Sequence, residues 1–151
     1  MVRPLTRRLA QTYWRWSRGL TMGVRVAVLD GRYVFLVRHT YTSGWHLPGG
    51  GIERGETARQ ALERELMEEA GIRLDEEPRL HGVFLNEATF PGDHVLTFVG
   101  EAWTQVEVPY PSKEIAEAGF FPADGLPAGT TPGTRRRIME IVDAAPPAAH
   151  W

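Results

Sequence analysis

Three consecutive glycines, Gly49 to Gly51, lead into a helix-forming segment whose acids crowd together, and Gly50 to Ile72 reads GGIERGETARQALERELMEEAGI. Thr57 and Gln60 have capping-box spacing, and Gly71 stands where a left-handed C-terminal cap is needed, so the segment predicts a helix over about 57–70. At about 100° per residue, Leu62 and Leu66 share an apolar stripe and Glu65 and Glu69 border it, with Glu68 farther round. Glu65 lies within helical contact of both Glu68 and Glu69, and each like-charge pair costs a few tenths of a kcal/mol. Partial burial would raise that cost by disfavouring the ionised forms, and a hard divalent cation, Mg2+ or Mn2+, would offset it by sharing the carboxylate oxygens. Paired glutamates on a solvated helix face are common and do not establish a metal. The glycine turn favours one, because bare backbone can approach a phosphate or place a carbonyl on a cation.

Composition narrows the chemistry further. A chain of 151 residues fits one domain with its own core. It has no cysteine, so disulfides, thiol nucleophiles and thiolate metal sites are excluded, and a bound metal must take oxygen or imidazole ligands. No apolar run approaches the length of a membrane span, so no membrane partner is expected and a cytoplasmic location is. The charge is uneven: residues 1–29 hold six arginines and no acid, against eleven basic and nineteen acidic residues in the rest. A basic arm suits an acidic partner, a membrane surface or nucleic acid, but a solvated helix face accounts for it as well and is the preferred reading.

Taken in order, residues 4–18 predict an amphipathic helix with Leu5, Leu9, Tyr13 and Trp16 on one face and Trp14 stranded among arginines. That apolar face needs a cover, either the chain's own sheet or a second subunit, which leaves a homodimer open. The arginine-rich start resembles a transit peptide in composition, but Ser17 is its only serine. Met22–Leu29 alternates with Val24, Val26 and Val28 on one face, and Tyr33–Val37 follows the turn Asp30-Gly31, which predicts a hairpin. Further strands are expected at Leu80–Asn86 and His94–Thr104, a loop and edge strand ending in Gly119-Phe120-Phe121, and a last helix capped by Thr131 with Pro132 in its first turn. The expected organisation is an N-terminal helix over 1–20 belonging to the same domain, the domain proper over 21–143, and a flexible tail over 144–151. The fold class is α+β, an αβα sandwich with a mixed sheet.

Gly50, five residues, Glu56, seven residues, then Arg64-Glu65-Leu66-Met67-Glu68-Glu69-Ala70-Gly71-Ile72 resembles the complete Nudix box. The resemblance extends to Trp45-His46-Leu47-Pro48-Gly49-Gly50 as the lead-in and to Glu114–Pro127 as the closing segment. It implies the Nudix fold and metal-dependent hydrolysis of a diphosphate linkage in a small-molecule nucleoside diphosphate derivative, with Mg2+ or Mn2+ as cofactor. It also implies that Glu65, Glu68, Glu69 and the Gly49 carbonyl hold the metal, that Glu56 and Arg64 position the site, and that the general base is one of Glu65, Glu68 and Glu114.

Other members of the superfamily set the alternatives. An isoprenoid diphosphate isomerase needs a cysteine this chain lacks. Non-catalytic nucleotide-binding modules commonly lose box carboxylates, which are intact here. An RNA 5′ end as substrate, with the arginine-rich helix on the phosphate backbone, is a further reading, though a nucleic acid partner is not favoured. His46 and His94 read as structural. The proline of ADP-ribose hydrolases is missing from its usual place, held here by Ala88, and Phe84, Asn86, Phe90 and Phe121 read as core or turn before pocket.

Overall fold

Strand β1, Thr21–Asp30, supplies the centre of the molecule because both its faces are apolar where they must be: Val24, Val26 and Val28 enter one core cluster and Ala27 the other. The computed structural model describes residues 4–151, and within the first helix only the side chains at 9–13, 15 and 17. Around β1 the chain places α1 (Pro4–Ser17), β2 (Tyr33–His39), β3 (Gly49–Gly51), α2 (Ala58–Ala70), β4 (Ile72–Leu74), β5 (Arg79–Leu85), β6 (Asp93–Gly100), β7 (Trp103–Gln105), β8 (Ile115–Pro122) and α3 (Pro132–Val142). The large sheet runs β5-β6-β1-β2-β8 with β3 beside β1, and the parallel β1/β6 pair among antiparallel neighbours makes it mixed. Ala61, Leu62, Leu66 and Ala70 of α2 close one face, and Ile138 of α3 packs on the other with Val34, Leu36 and Leu47, so the expected αβα sandwich is what forms. None of the described helices is long and apolar enough to cross a membrane.

The hairpin of β1 and β2 pairs only at its closed end, Leu29 with Val34 and Asp30 with Tyr33. Beyond it the strands part, and the segment 45–51 fills the gap. Val37 and His46 exchange backbone bonds of 2.9 Å, the Val26 amide donates to the Pro48 carbonyl at 3.0 Å, and β3 pairs with β1 from Gly23–Gly51 to Arg25–Gly49. This wedge requires glycine: Gly49 has φ +145°, and a Cβ there would overlap the Val24 carbonyl.

Several boundaries differ from the sequence reading. The single strand expected over 94–104 is two, because at Gly100 the Leu74 side chain occupies the space a Cβ would need and the chain bends away, so β7 pairs with β4 in a separate ribbon. The last strand begins at Ile115, earlier than expected, and lies at the sheet edge against the whole of β2. The segment 144–151, expected to be a flexible tail, is docked. The Leu85 amide donates to the Ala149 carbonyl at 2.9 Å, the Trp151 amide donates to the Leu85 carbonyl at 3.0 Å, and the Trp151 ring packs over Gly133, where a Cβ would overlap its indole nitrogen. On α1, Leu9 and Tyr13 are exposed rather than covered, and the side chains of Leu5, Trp14 and Trp16 lie outside the described residues.

Candidate metal and substrate site

The start and stop of α2 set the phase of its side chains. Thr57 Oγ1 accepts from the Gln60 amide at 3.1 Å and Gln60 Oε1 accepts from the Thr57 amide at 2.9 Å, while Gly71 takes φ +62° and donates to the Leu66 and Met67 carbonyls. With Leu62 and Leu66 fully buried, Glu65 and Glu69 are turned toward the glycine strand. Glu69 is itself buried: its Oε2 accepts from the Gly49 amide at 2.9 Å and its Oε1 from His39 Nε2 at 2.6 Å. The Glu65 carboxylate lies against Gly50 where a Cβ would stand, so the glycine needed there makes room for an acid of the helix.

Arg64 ties the remaining acids together. Its Nε and Nη2 fork onto Glu56 at 2.8 and 3.1 Å, its Nη1 donates to Glu65 at 2.8 Å and lies 3.6 Å from Glu68, and Nη2 also reaches the Gly51 carbonyl at 3.1 Å. One guanidinium thus serves three carboxylates. Burial pushes Glu65 above the usual carboxylate range against the Arg64 hydrogen bond, with Glu69 and Glu68 adding to the rise. The Arg64 fork, with the Glu53 backbone, holds Glu56 below that range.

Of the residues read from the sequence, Glu56, Arg64, Glu65, Glu68 and Glu69 therefore meet along one face of α2. Glu114 joins them from the other side of a cleft of about 440 Å³ walled by Glu68, Glu69, Ser112, Lys113, Glu114 and Ile115. Ser112 Oγ accepts from the Glu114 and Ile115 amides at 3.2 and 3.0 Å, and the Glu114 carbonyl accepts from the Thr40 amide at 2.8 Å, so the backbone under this exposed glutamate is held. The Gly49 carbonyl is already engaged, accepting from Arg25 Nη1 at 2.9 Å. Among the described residues no three His, Asp or Glu side chains enclose a single point as they stand. The donor set nonetheless fits a hard divalent cation, being all oxygen with more carboxylates than protein cations to balance them.

His39 and Arg25 were missed by the sequence reading. His39 continues the odd-numbered face of Phe35 and Val37 toward α2, a signal that becomes usable only once that face is known to meet the acids. Arg25 interrupts an apolar strand. His46 donates from Nε2 to the Ser43 carbonyl at 2.9 Å, and burial lowers its pKa toward the neutral form, while His94 Nδ1 is 3.4 Å from the Gly92 carbonyl. Asn86, read as core or turn, opens the turn between β5 and β6, its carbonyl accepting from the Thr89 and Phe90 amides, and it also lines a second cavity of about 230 Å³ beside the glycine strand, with Arg25, His46, Gly50, Gly51, Asp93 and Trp151 in its wall.

The sequence matches the NUDIX domain family over residues 19–140. Curated relatives include an NAD-capped RNA hydrolase NudC from Citrobacter koseri, 36% identical over 118 residues, and one of the same name from Escherichia coli at 35%. Each alignment covers 76% of this chain and 44% of the relative, so the chain spans less than half the length of these relatives. Among solved structures, a MutT NUDIX hydrolase from Burkholderia pseudomallei superposes with a TM-score of 0.70 at 25% identity, covering 80% of this chain and 97% of that one. An ADP-ribose pyrophosphatase from Streptococcus suis shares the fold, with a TM-score of 0.64 at 21% identity over 87% of this chain and 95% of that one. The box residues gathered on α2, the glycine wedge and a family match over most of the chain agree, and the protein belongs to the Nudix family.

Proposed function

We propose that this chain hydrolyses a diphosphate linkage in a nucleoside diphosphate derivative, in the cytoplasm, with Mg2+ or Mn2+ held by Glu65, Glu68, Glu69 and the Gly49 carbonyl. The observation that carries this reading is the Glu65 carboxylate set against the bare backbone of Gly50, which joins the acid helix and the glycine strand into one site. When bound, the metal neutralises phosphate oxygens and lowers the pKa of water. Arg64 and Glu56 hold Glu65 in orientation through the fork described above. His39 and the Gly49 amide do the same for Glu69. The Gly49 carbonyl, which accepts from Arg25, keeps a second lone pair for the metal.

Glu114 is assigned as the general base in preference to Glu65 or Glu68. Its carboxylate is exposed on the far lip of the cleft, whereas Glu65 is bonded to Arg64 and Glu68 lies beside it. Water attacks phosphorus, its proton passes to the Glu114 carboxylate, and the bridging P–O bond breaks to leave two phosphate monoesters. A second reading, an RNA 5′ end as substrate, is supported by the likeness to NAD-capped RNA hydrolases and by the exposed Arg15 on α1.

The test is a panel of nucleoside diphosphate derivatives, nucleoside triphosphates and 5′-capped or 5′-triphosphate RNA, assayed with Mg2+ and with Mn2+. Metal-dependent turnover of a nucleoside diphosphate derivative is the expected result. Turnover of RNA alone, lost on deleting residues 1–18, would shift the reading to the second, and no turnover of any member would overturn hydrolysis.

A further inference from the structure

The end of β2 touches two parts of the acid site through consecutive residues. His39 donates from Nε2 to Glu69 at 2.6 Å. Thr40 bonds instead to the loop across the cleft: its amide donates to the Glu114 carbonyl at 2.8 Å and its Oγ1 to the Lys113 carbonyl at 2.7 Å. A β-bulge sets up this meeting. Arg38 pairs with Glu117 but His39 pairs with Ile115, so Ala116 is the extra residue of β8, and Glu114 and Lys113 come level with Thr40.

Residues 106–114 join β7 to β8. The near end of this loop is tied to the cap of α2, where the Val106 amide donates to the Gly71 carbonyl at 2.8 Å. The far end closes on itself through Ser112, whose amide donates to the Ile115 carbonyl at 2.7 Å and whose Oγ accepts from the Glu114 and Ile115 amides. Those bonds shape the turn without fixing where it stands relative to α2. Ile115 is buried and pins the last residue, but one pinned end lets the residues before it swing. Among the described residues, both hydrogen bonds that reach 112–114 from outside the loop come from Thr40. Thr40 is itself exposed and belongs to neither core cluster, so packing does not account for it.

We propose that Thr40 is a positioning residue for the hydrolysis: through the Lys113 and Glu114 carbonyls it holds Glu114 over the cleft at a set distance from Glu69. The assignment rests on the hydrolytic reading above, with Glu114 as the base, and extends it to the residue that aims the base. His39 and Thr40 have Cα atoms about 3.8 Å apart across one rigid peptide unit. That unit fixes a metal-binding acid and the general base relative to one another. A base works only within hydrogen-bond reach of the proton it takes, so a loop free to swing would lose rate without losing substrate.

Variants of the whole chain are assayed on the panel member that the unaltered protein turns over. Thr40→Val keeps the shape and the amide bond and removes the hydroxyl alone, and it lowers kcat about tenfold with KM changed less than about twofold. Thr40→Ser, which keeps the hydroxyl, retains most of the activity, and Thr40→Ala serves if the valine variant fails to fold. In a Glu114→Gln background Thr40→Val has no further effect, because the base it aims is gone. A second readout needs neither metal nor substrate. Amide hydrogen exchange at Glu114 and Ile115 quickens about tenfold in Thr40→Val and not in Thr40→Ser, with α2 unchanged. Unchanged exchange or full kcat in folded Thr40→Val, or an equal loss with and without the Glu114 carboxylate, overturns the assignment. If Glu114→Gln is inactive while Thr40→Val is fully active, this assignment alone fails. A fully active Glu114→Gln removes the base and the assignment together, and no turnover by the unaltered protein removes hydrolysis along with both.

Discussion

Two helices on opposite faces of one sheet each carry a cluster of charges, and the clusters are built to opposite rules. On α3, Arg137 is wholly buried, donates to Glu140 and to the His150 carbonyl at 2.7 Å each, and lies 4.1 Å over the Phe84 ring. Glu140 also accepts from His81 at 2.9 Å and from the Ala148 amide at 3.1 Å, so one cation and one carboxylate are matched and nearly every polar atom is used. On α2, three carboxylates share Arg64, and a fourth, Glu69, is buried on two donors. The balanced cluster anchors the tail. The unbalanced one strains its own helix, and such a surplus of charge is sustained where a ligand completes it.

The largest expected effects break the function of one cluster and leave the other standing. Glu65→Gln and Glu69→Gln each lower metal-dependent hydrolysis by roughly two orders of magnitude or more, the scale of losing a group that stabilises the transition state. Their stabilities differ. Glu65→Gln melts no lower than the parent because a like-charge contact is relieved. Glu69→Gln loses about 1–3 kcal/mol because one acceptor replaces two for buried donors. Full activity in both variants would remove the distinction between the clusters.

The reverse experiment is Arg137→Ala, which takes the cation from Glu140 and the donor from the His150 carbonyl, leaves a buried gap over Phe84, and costs about 3–5 kcal/mol in a urea titration. A change under about 1 kcal/mol would mean the α3 cluster is not the anchor it is taken for here.

Acid sharpens the contrast because the two carboxylates shift in opposite directions. Burial pushes Glu140 up, but His81, the Ala148 amide and Arg137 outweigh it and hold the group below its ordinary value. Its contribution is present at neutral pH and lost as pH falls through the carboxylate range. Glu65 is raised, so its contribution is full below the ordinary carboxylate value and lost as pH rises through the shifted one. Melting curves between about pH 7 and pH 4 should show Glu140→Gln flattening the acid loss, and Glu65→Gln giving a gain that shrinks on acidification. Parallel pH profiles for the two variants would contradict both assignments.

The smallest changes are single methyl groups. Gly50→Ala displaces the Glu65 carboxylate and lowers hydrolysis with little change in melting temperature. Gly133→Ala displaces the Trp151 ring but removes a glycine from α3, so the two effects partly cancel and stability moves by less than about 1 kcal/mol. Protease cleavage within 144–151 then reports release of the tail.

Much of the acid site was legible because its information is local. The capping box, Gly71 and the run Arg64–Glu69 act over one or two turns, and the structure keeps all of them. His39, Arg25 and the tail were not legible for the converse reason. His39 meets Glu69 from thirty positions away, and Leu85 gains partners from a segment that composition alone reads as frayed. The α1 face shows the limit from the other direction, since a clear helical stripe predicts a face to be covered but not by what, and Leu9 and Tyr13 are left uncovered by the chain's own sheet.

By itself the sequence determined which residues form α2, that its acids are in surplus, that Val24, Val26 and Val28 share one face of a strand, and that any metal must be held by oxygen or nitrogen. Periodicity, caps and composition depend on neighbours within a few residues, and those neighbours are read directly from the order of the chain. Only the tertiary structure decided that Gly50 makes room for Glu65, that Arg25 closes on the Gly49 carbonyl, and that Trp151 walls a cavity facing Asp93. Those contacts depend on which strands part and what fills the gap between them, a balance of packing and hydrogen bonding summed over residues far apart in the chain.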